Sequence, residues 1–312
     1  MEGKRHVSCL VMVNSARSYM DRRRAARRTW AAQIPSSFAI YFVLAAAPPN
    51  GAPLDAKELE LGDVVELSAP QDGYDTLLVK LVNFIAWAAE HISYDYFLHV
   101  DDDSYIRLDE LALILPTLRC EKLYWGYMWN MPATVPPPAS TVPSSAASST
   151  ARTRPLRDVT AKSYMPISQW PCDDYPPFAS GCAFILSADL TCYIHTNRLV
   201  LRPFRLIDAG LGIWLSSLDG VQYVHCDRVR PYRPLPLYQP GTLVQHYMRP
   251  EEFAPYHAVR VDATGALLTP SFTEGPQRRH FVFLGCGQHL HTLLHFGAGL
   301  GDTLLAWSNA PC

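Results

Sequence analysis

The run from Tyr94 to Asp103 reads Tyr-Asp-Tyr-Phe-Leu-His-Val-Asp-Asp-Asp, an aromatic and β-branched stretch that ends in three consecutive carboxylates. A run of that kind is a buried strand, and charges at its end belong in a crevice at the sheet edge. Three acidic groups so close repel one another, and they persist at least cost where a divalent cation or a ligand's hydroxyls compensate them. From the triplet alone two readings stay open. One is a shelf for metal and ligand; the other is a solvated turn in which Asp103 and Ser104 start a helix over Leu108 to Leu118.

With 312 residues, 48% of them hydrophobic, the chain has ample material for a large α/β core. A net charge of −2 with both signs scattered gives no broad basic field, so nucleic acid is not an expected partner. The 8 cysteines stand singly without CxxC spacing, which speaks against structural zinc and leaves disulfides undecided. Apolar runs such as Phe38 to Ala47 fall short of a bilayer span.

Along the chain, Val7 to Met12 is a first strand and Asp21 to Trp30 a basic helix behind it. Arg23 and Arg27, four apart, share a helical face that can point at a phosphate or a carboxylate, although a solvated charged face explains the spacing as well. Strands over Phe38 to Ala46 and Asp63 to Leu67 flank a short acidic helix, giving a βαβ rhythm. Tyr74, Leu78, Leu81, Ile85 and Ala88 recur at helical spacing and predict a helix feeding the acidic strand. Lys80 is a lone cation in that helix, by itself more often a surface lysine than a ligand for a phosphate. A helix over Leu108 to Leu118 and a strand over Leu123 to Tyr127 follow.

Between Pro132 and Asp158 the composition turns to Pro, Ala, Ser and Thr, which predicts a flexible surface insertion. Order resumes at Lys162, and Tyr175 to Ser187 is turn followed by strand, with Gly181 marking either a tight turn or close backbone approach to a ligand. Asp208 stands at the start of a helix over Ile207 to Leu215, as an N-cap or as a proton acceptor. After a strand over Val221 to Cys226, His246 ends an apolar stretch, a place for a metal ligand or for an ordinary histidine.

Order and spacing together give the series Arg23-x-x-x-Arg27-x-Thr29-Trp30, Asp72-x-Tyr74-x-x-Leu77-x-x-Lys80, Trp87, Tyr96 to Asp103, Trp125-Gly126, Tyr175-Pro176-x-Phe178-x-x-Gly181, Asp208 and His246. From about His6 to about His257 this resembles the β-1,3-galactosyltransferase family, with its N-acetylglucosaminyl and fringe-type members. A weaker resemblance is to the phosphoglycan-directed enzymes of kinetoplastids.

The resemblance implies an α/β fold of GT-A type, a Rossmann-like mixed sheet with helices on both faces. It implies a UDP-sugar-binding half over 6–131, the insertion over 132–160, an acceptor-binding half over 161–260 and a C-terminal extension over 261–312. It also implies an inverting transferase that uses Mn²⁺ and moves a hexose, here galactose, from a UDP-sugar donor to a 3-hydroxyl of a glycan acceptor. Asp103 and His246 match the family's metal-ligand positions, and Asp101 and Asp102 those placed to hold ribose or donor-sugar hydroxyls. Arg23, Asp72 and Lys80 match positions near the nucleotide. Asp208 matches the aspartate of the family's Glu-Asp-Val motif, altered here to Ile207-Asp208-Ala209, and is the expected base.

Family members sit in the Golgi membrane behind a tail, an anchor and a stem. This chain opens near its first strand with no anchor visible, so the expectation is either an incomplete start or an anchorless paralogue. The rival reading is a catalytically silent module of the same fold that binds a nucleotide sugar or glycan. A phosphotransferase or nuclease is disfavoured, because no GxxxxGKS loop or second metal cluster accompanies the triplet.

Overall fold

A computed structural model describes residues 4–47, 54–131 and 152–261, with short strands at 267–268, 283–284 and 291–292. Its centre is a seven-stranded sheet of order β3-β2-β1-β4-β7-β6-β8. The strands are β1 (Arg5–Asn14), β2 (Phe38–Ala46), β3 (Val64–Gln71), β4 (Ile92–Asp101), β6 (Leu123–Trp129), β7 (Phe178–Ser187) and β8 (Gln222–His225). Strands β1 to β4 run parallel, whereas β7 is antiparallel to both β4 and β6. A smaller sheet of β5 (Tyr105–Ile106), β10 (Val244–Gln245) and β9 (Val229–Arg230) lies beyond the end of β4. The mixed sheet with helices on both faces expected from the sequence is the fold observed.

Strand alternation sorts the core into two layers. On β1, Leu10 and Met12 join one cluster, and Cys9, Val11 and Val13 the other. The first layer packs under α3 (Leu77–His91), α5 (Ala188–Asn197) and α6 (Ile207–Leu215), and the second under α1 (Met20–Arg27), α4 (Leu108–Ile114) and α7 (Pro250–Ala258). The central strands β1, β2, β6 and β7 are buried on both faces over most of their length and read as apolar runs, whereas the flanking β3 and β8 are only partly buried. Each fully buried Phe or Leu contributes roughly 1.5–3 kcal/mol, which makes Phe84, Phe97 and Phe184, all 0% exposed, main supports of the α3 layer.

Several details depart from the sequence reading. Tyr74 lies in a 3-10 turn (Tyr74–Thr76) ahead of α3 and is 39% exposed, because the tighter turn rotates it off the apolar stripe. Asp103 does not cap α4, whose first turn follows Arg107 without a side-chain cap. The insertion lies outside the described residues up to position 151. Its last residues are anchored: Leu156 bridges Tyr164, and Arg157 donates to the carbonyls of Met165 at 2.8 Å and Cys172 at 2.9 Å. Most of the C-terminal extension is likewise outside the described residues. Among the described residues no helix is long and apolar enough to cross a membrane.

Candidate active site

The acidic triplet divides at the end of β4. Asp101 accepts from Asn14 Nδ2 at 3.0 Å and lies 3.4 Å from His99 Nε2. His99 is fully buried and stacked on Phe184, with ring centroids 4.7 Å apart. Burial opposes ionisation of Asp101, but His99, His246 and Asn14 outweigh it and hold its pKa below the usual value. Asp102 is 3% exposed and accepts from Ser15 Oγ at 2.6 Å and Arg22 Nη1 at 2.8 Å. Burial, only partly offset by these bonds, pushes its pKa up to about 6.

Asp103 meets the chain's late histidine. His246 Nε2 stands 3.1 Å from Asp103 Oδ1 and 3.8 Å from Asp101 Oδ2, while its Nδ1 lies 3.2 Å from the carbonyl of Pro231. A carbonyl only accepts, so Nδ1 carries the hydrogen and the lone pair of the neutral ring is on Nε2, facing the carboxylates. Burial disfavours its charged form, but Asp103 and Asp101 outweigh that and raise its pKa. Asp101, Asp103 and His246 offer ligand atoms within 4.8 Å of one another. Two carboxylate oxygens and an oriented imidazole fit a divalent transition cation and leave its remaining positions to a ligand and water.

Backbone geometry fixes this histidine. His246 N–H donates to Arg230 O at 3.1 Å and Met248 N–H to Asp103 O at 2.8 Å. Between them Tyr247 takes φ 58° and stacks on the His246 ring with centroids 3.9 Å apart. A left-handed tyrosine costs on the order of 1–2 kcal/mol. The two flanking bonds hold it there.

Asp208 occupies the second position of α6; the N-cap is Leu206, so the N-cap reading fails. Its Oδ1 accepts the Ala209 N–H at 2.8 Å. It is half-buried beside Gly181 of β7, where an added Cβ would stand 3.7 Å from Asp208 Cβ. Gly181 therefore approaches the carboxylate closely. Burial raises the Asp208 pKa, with the negative Asp101 adding to it and backbone N–H groups opposing. Ile207 is 8% exposed and packs in the α3 layer, so the residue replacing an acid next to Asp208 is absorbed by the core.

Of the remaining expected residues, Arg23 and Lys80 are buried behind the triplet, whereas Asp72 is exposed. Arg23 is 0% exposed and pairs with both oxygens of Glu58, at 2.6 and 2.9 Å. Glu58 stands in α2 (Ala56–Leu59). Arg23 also donates to Ser15 Oγ at 3.1 Å and so touches Asp102 only through Ser15. Arg27 takes Asp63 at 2.8 Å and Glu58 at 2.9 Å. The shared helical face points at carboxylates. Lys80, expected at the surface, is 1% exposed; its Nζ donates to the Ser15 carbonyl and lies 3.3 Å from Asp72. Burial lowers its pKa, with Asp72 opposing.

The sequence profile of the galactosyltransferase family matches residues 21–135 and 138–227. This chain belongs to the galactosyltransferase family. Mouse beta-1,3-galactosyltransferase 6 is 30% identical over 228 residues, covering 70% of this chain and 62% of the relative. The Arabidopsis thaliana hydroxyproline O-galactosyltransferase GALT2 is 28% identical, over 68% of this chain and 29% of its own. The Drosophila melanogaster beta-1,3-galactosyltransferase brn is 26% identical, over 72% and 64%. The chain spans less than two thirds of the length of each of these relatives.

Within this galactosyltransferase-family chain, the sequence reading missed Asn14, Ser15, Arg22 and His99, which hold the triplet's carboxylates apart. Arg22 stood unused in the run Asp21-Arg22-Arg23-Arg24, where charge alone does not say which arginine reaches the acidic strand. Asn14 and Ser15 carried a usable signal. They follow directly on the first strand, and the end of a parallel strand next to β4 shares its crevice.

Proposed function

We propose that the chain is a galactosyltransferase, moving galactose from a UDP-sugar to a hydroxyl of a glycan acceptor with inversion, and that Asp101, Asp103 and His246 hold Mn²⁺. The observation carrying this is the histidine whose Nδ1 is committed to Pro231, with Nε2 beside two carboxylates. Mn²⁺ accepts such an oxygen-plus-imidazole set, and a bound ion supplies neutralisation of charge on a leaving diphosphate. Membership of the family supports the donor class and a Golgi setting.

Asp208 takes the proton of the acceptor hydroxyl. Burial raises its pKa, which makes the ionised carboxylate a stronger base than an exposed aspartate. Asp101 orients against His99 and Asn14; Asp102 is engaged by Ser15 and Arg22 and acts as a strut rather than a sugar contact. Arg23 and Lys80 support the nucleotide site from behind, converging on Ser15.

The test is UDP release by the purified chain with Mn²⁺, offered UDP-galactose and UDP-N-acetylglucosamine separately, with and without a galactoside acceptor, and an Asp208→Asn control. Turnover requiring metal and Asp208 supports the transferase. UDP binding without turnover across an acceptor panel gives the chain to the silent-module reading.

A further inference from the structure

The left-handed backbone of Tyr247, at φ 58°, directly follows a proposed metal ligand. Glycine or asparagine takes that conformation at less cost than a tyrosine does. Burial does not offset the difference, because Tyr247 is 47% exposed. What its ring touches is His246: the two centroids lie 3.9 Å apart with the planes only 23° from parallel.

The turn is the cause of that contact. Successive side chains of a strand point to opposite faces, and β10 ends at Gln245. A strand continued through 247 would send Tyr247 away from His246; the left-handed residue instead sets the rings face to face. The edge of the imidazole has its own tie, Nδ1 to the Pro231 carbonyl at 3.2 Å, at the long end of the hydrogen-bond range. The torsion that turns a histidine ring has broad minima, so one long bond at an edge holds it loosely. A second ring against its face blocks the rotation.

The turn is braced from both sides. Gln245 Nε2 donates to Tyr232 O at 3.0 Å, the His246 N–H to Arg230 O at 3.1 Å, and Arg233 Nη1 to Tyr247 O at 2.6 Å. Arg233 also donates to Glu252 Oε2 at 2.9 Å, and that oxygen accepts the Arg249 N–H at 2.8 Å, which ties the segment to the start of α7. On the other side, the Met248 N–H donates to Asp103 O at 2.8 Å. The backbones of both ligands, Asp103 and His246, therefore meet in the turn that Tyr247 makes.

We propose that Tyr247 is a positioning residue whose ring locks the His246 imidazole with Nε2 toward Asp101 and Asp103; the inference rests on the metal-dependent reading above. Unfavourable backbone is accepted at this one residue, and in return the ligand is oriented before a cation arrives.

The experiment measures Mn²⁺ affinity of the full chain by electron paramagnetic resonance, and its melting temperature without metal, for Tyr247→Gly, Tyr247→Asn, Tyr247→Phe and His246→Ala. Glycine and asparagine accept the turn but lack the ring. Both should lower Mn²⁺ affinity about tenfold, as for loss of a group that orients a ligand, while the melting temperature stays no more than about 2 °C below wild type. Phenylalanine keeps the ring and should bind Mn²⁺ within about twofold of wild type. Wild-type affinity in both the glycine and asparagine variants overturns the positioning role. So does an affinity loss that comes with a larger fall in melting temperature in both, which makes the ring a structural support. An equal affinity loss in Tyr247→Phe overturns it as well, since the hydroxyl is then the working group. The histidine variant separates the two readings. Affinity lost in His246→Ala but kept without the ring counts against Tyr247 alone, and affinity unchanged in His246→Ala overturns the metal assignment together with this inference.

Discussion

Arg22 reaches from α1 to Asp102 and donates to its Oδ1 at 2.8 Å, leaving Asp101 and Asp103 to the histidine. The same guanidinium stands 3.4 Å from Asp103 and rests 4.2 Å from the Tyr19 ring centroid. Substitution Arg22→Ala leaves the buried Asp102 with Ser15 alone. Because the same guanidinium borders the ligand Asp103, the expected result is a metal affinity lowered by a factor on the order of 10, as for loss of a group that orients a ligand, with a near-native far-UV spectrum. Mn²⁺ titration followed by electron paramagnetic resonance reads it, and unchanged affinity would remove Arg22 from the account.

Asp103→Ala and His246→Ala each delete a ligand rather than its support. Mn²⁺ affinity should fall by a factor on the order of 10² in either case, and UDP binding should lose its dependence on metal. Full Mn²⁺ binding by His246→Ala would mean that the imidazole is a structural neighbour only.

For Asp208→Asn, transfer should drop by a factor on the order of 10² or more with UDP affinity kept. The pH profile gives a second check. A base must be ionised, and burial raises the pKa of Asp208. Activity is therefore present above that pKa and lost as pH falls through it, at a higher pH than an exposed aspartate would give. An acid limb at the ordinary aspartate value, or comparable transfer by the variant, places the base elsewhere.

Glu58 supplies an acid-stability prediction. Arg23's hydrogen bonds lead in lowering its pKa from 4.5 to about 2, against burial and with help from Arg27. A carboxylate depressed in the folded state contributes stability that is present above its unfolded pKa and lost as pH falls through the folded one. The loss should run from about pH 4.5 down to about pH 2 and amount to about 3 kcal/mol. Denaturant melts of wild type and Glu58→Gln across that window should converge at the acid end. At neutral pH the variant strands a buried Arg23 and should be destabilised by roughly 3–5 kcal/mol.

Gly212 tests how α6 is seated. An added Cβ would come within 2.5 Å of Phe178 Cβ and 2.7 Å of the Pro177 carbonyl oxygen. Gly212→Ala must push the helix off β7, costing about 1–3 kcal/mol and moving Asp208 with it. A lower melting temperature together with reduced turnover is expected; a variant equal to wild type in both would show that the helix has slack.

The parallel strands and the acidic crevice were legible because β1, β2 and β4 are apolar on both faces and need no partner to be recognised. Asp101, Asp103, His246 and Asp208 were named from order and spacing; the structure brings the ligand atoms of the first three within 4.8 Å of one another and sets Asp208 beside Gly181 of β7. What the sequence did not disclose is direction. Nothing in three consecutive aspartates says that the middle one turns to Ser15 and Arg22, since that depends on how the turn after β4 meets the end of β1. Lys80 read as a surface residue because its burial partners, the Ser15 carbonyl and Asp72, are tertiary. Helices α5 and α7 went unread for a local reason. The first mixes Thr, Cys and His into a weak stripe, and the second carries Pro255 in its interior, where a helix is not expected.

The place of β4 in the sheet also bears on how the chain comes into being. Its neighbours are β1, made early, and β7, made only after the Pro-rich stretch and the residues that follow it have been synthesised. Until β7 arrives, a growing chain carries β4, whose Tyr96 to Val100 run is buried in the finished fold, as an open edge, the kind of surface that templates pairing between molecules. Its acidic terminus lacks His246 over the same interval. The half-made protein, with this edge open, is therefore more aggregation-prone than the finished fold.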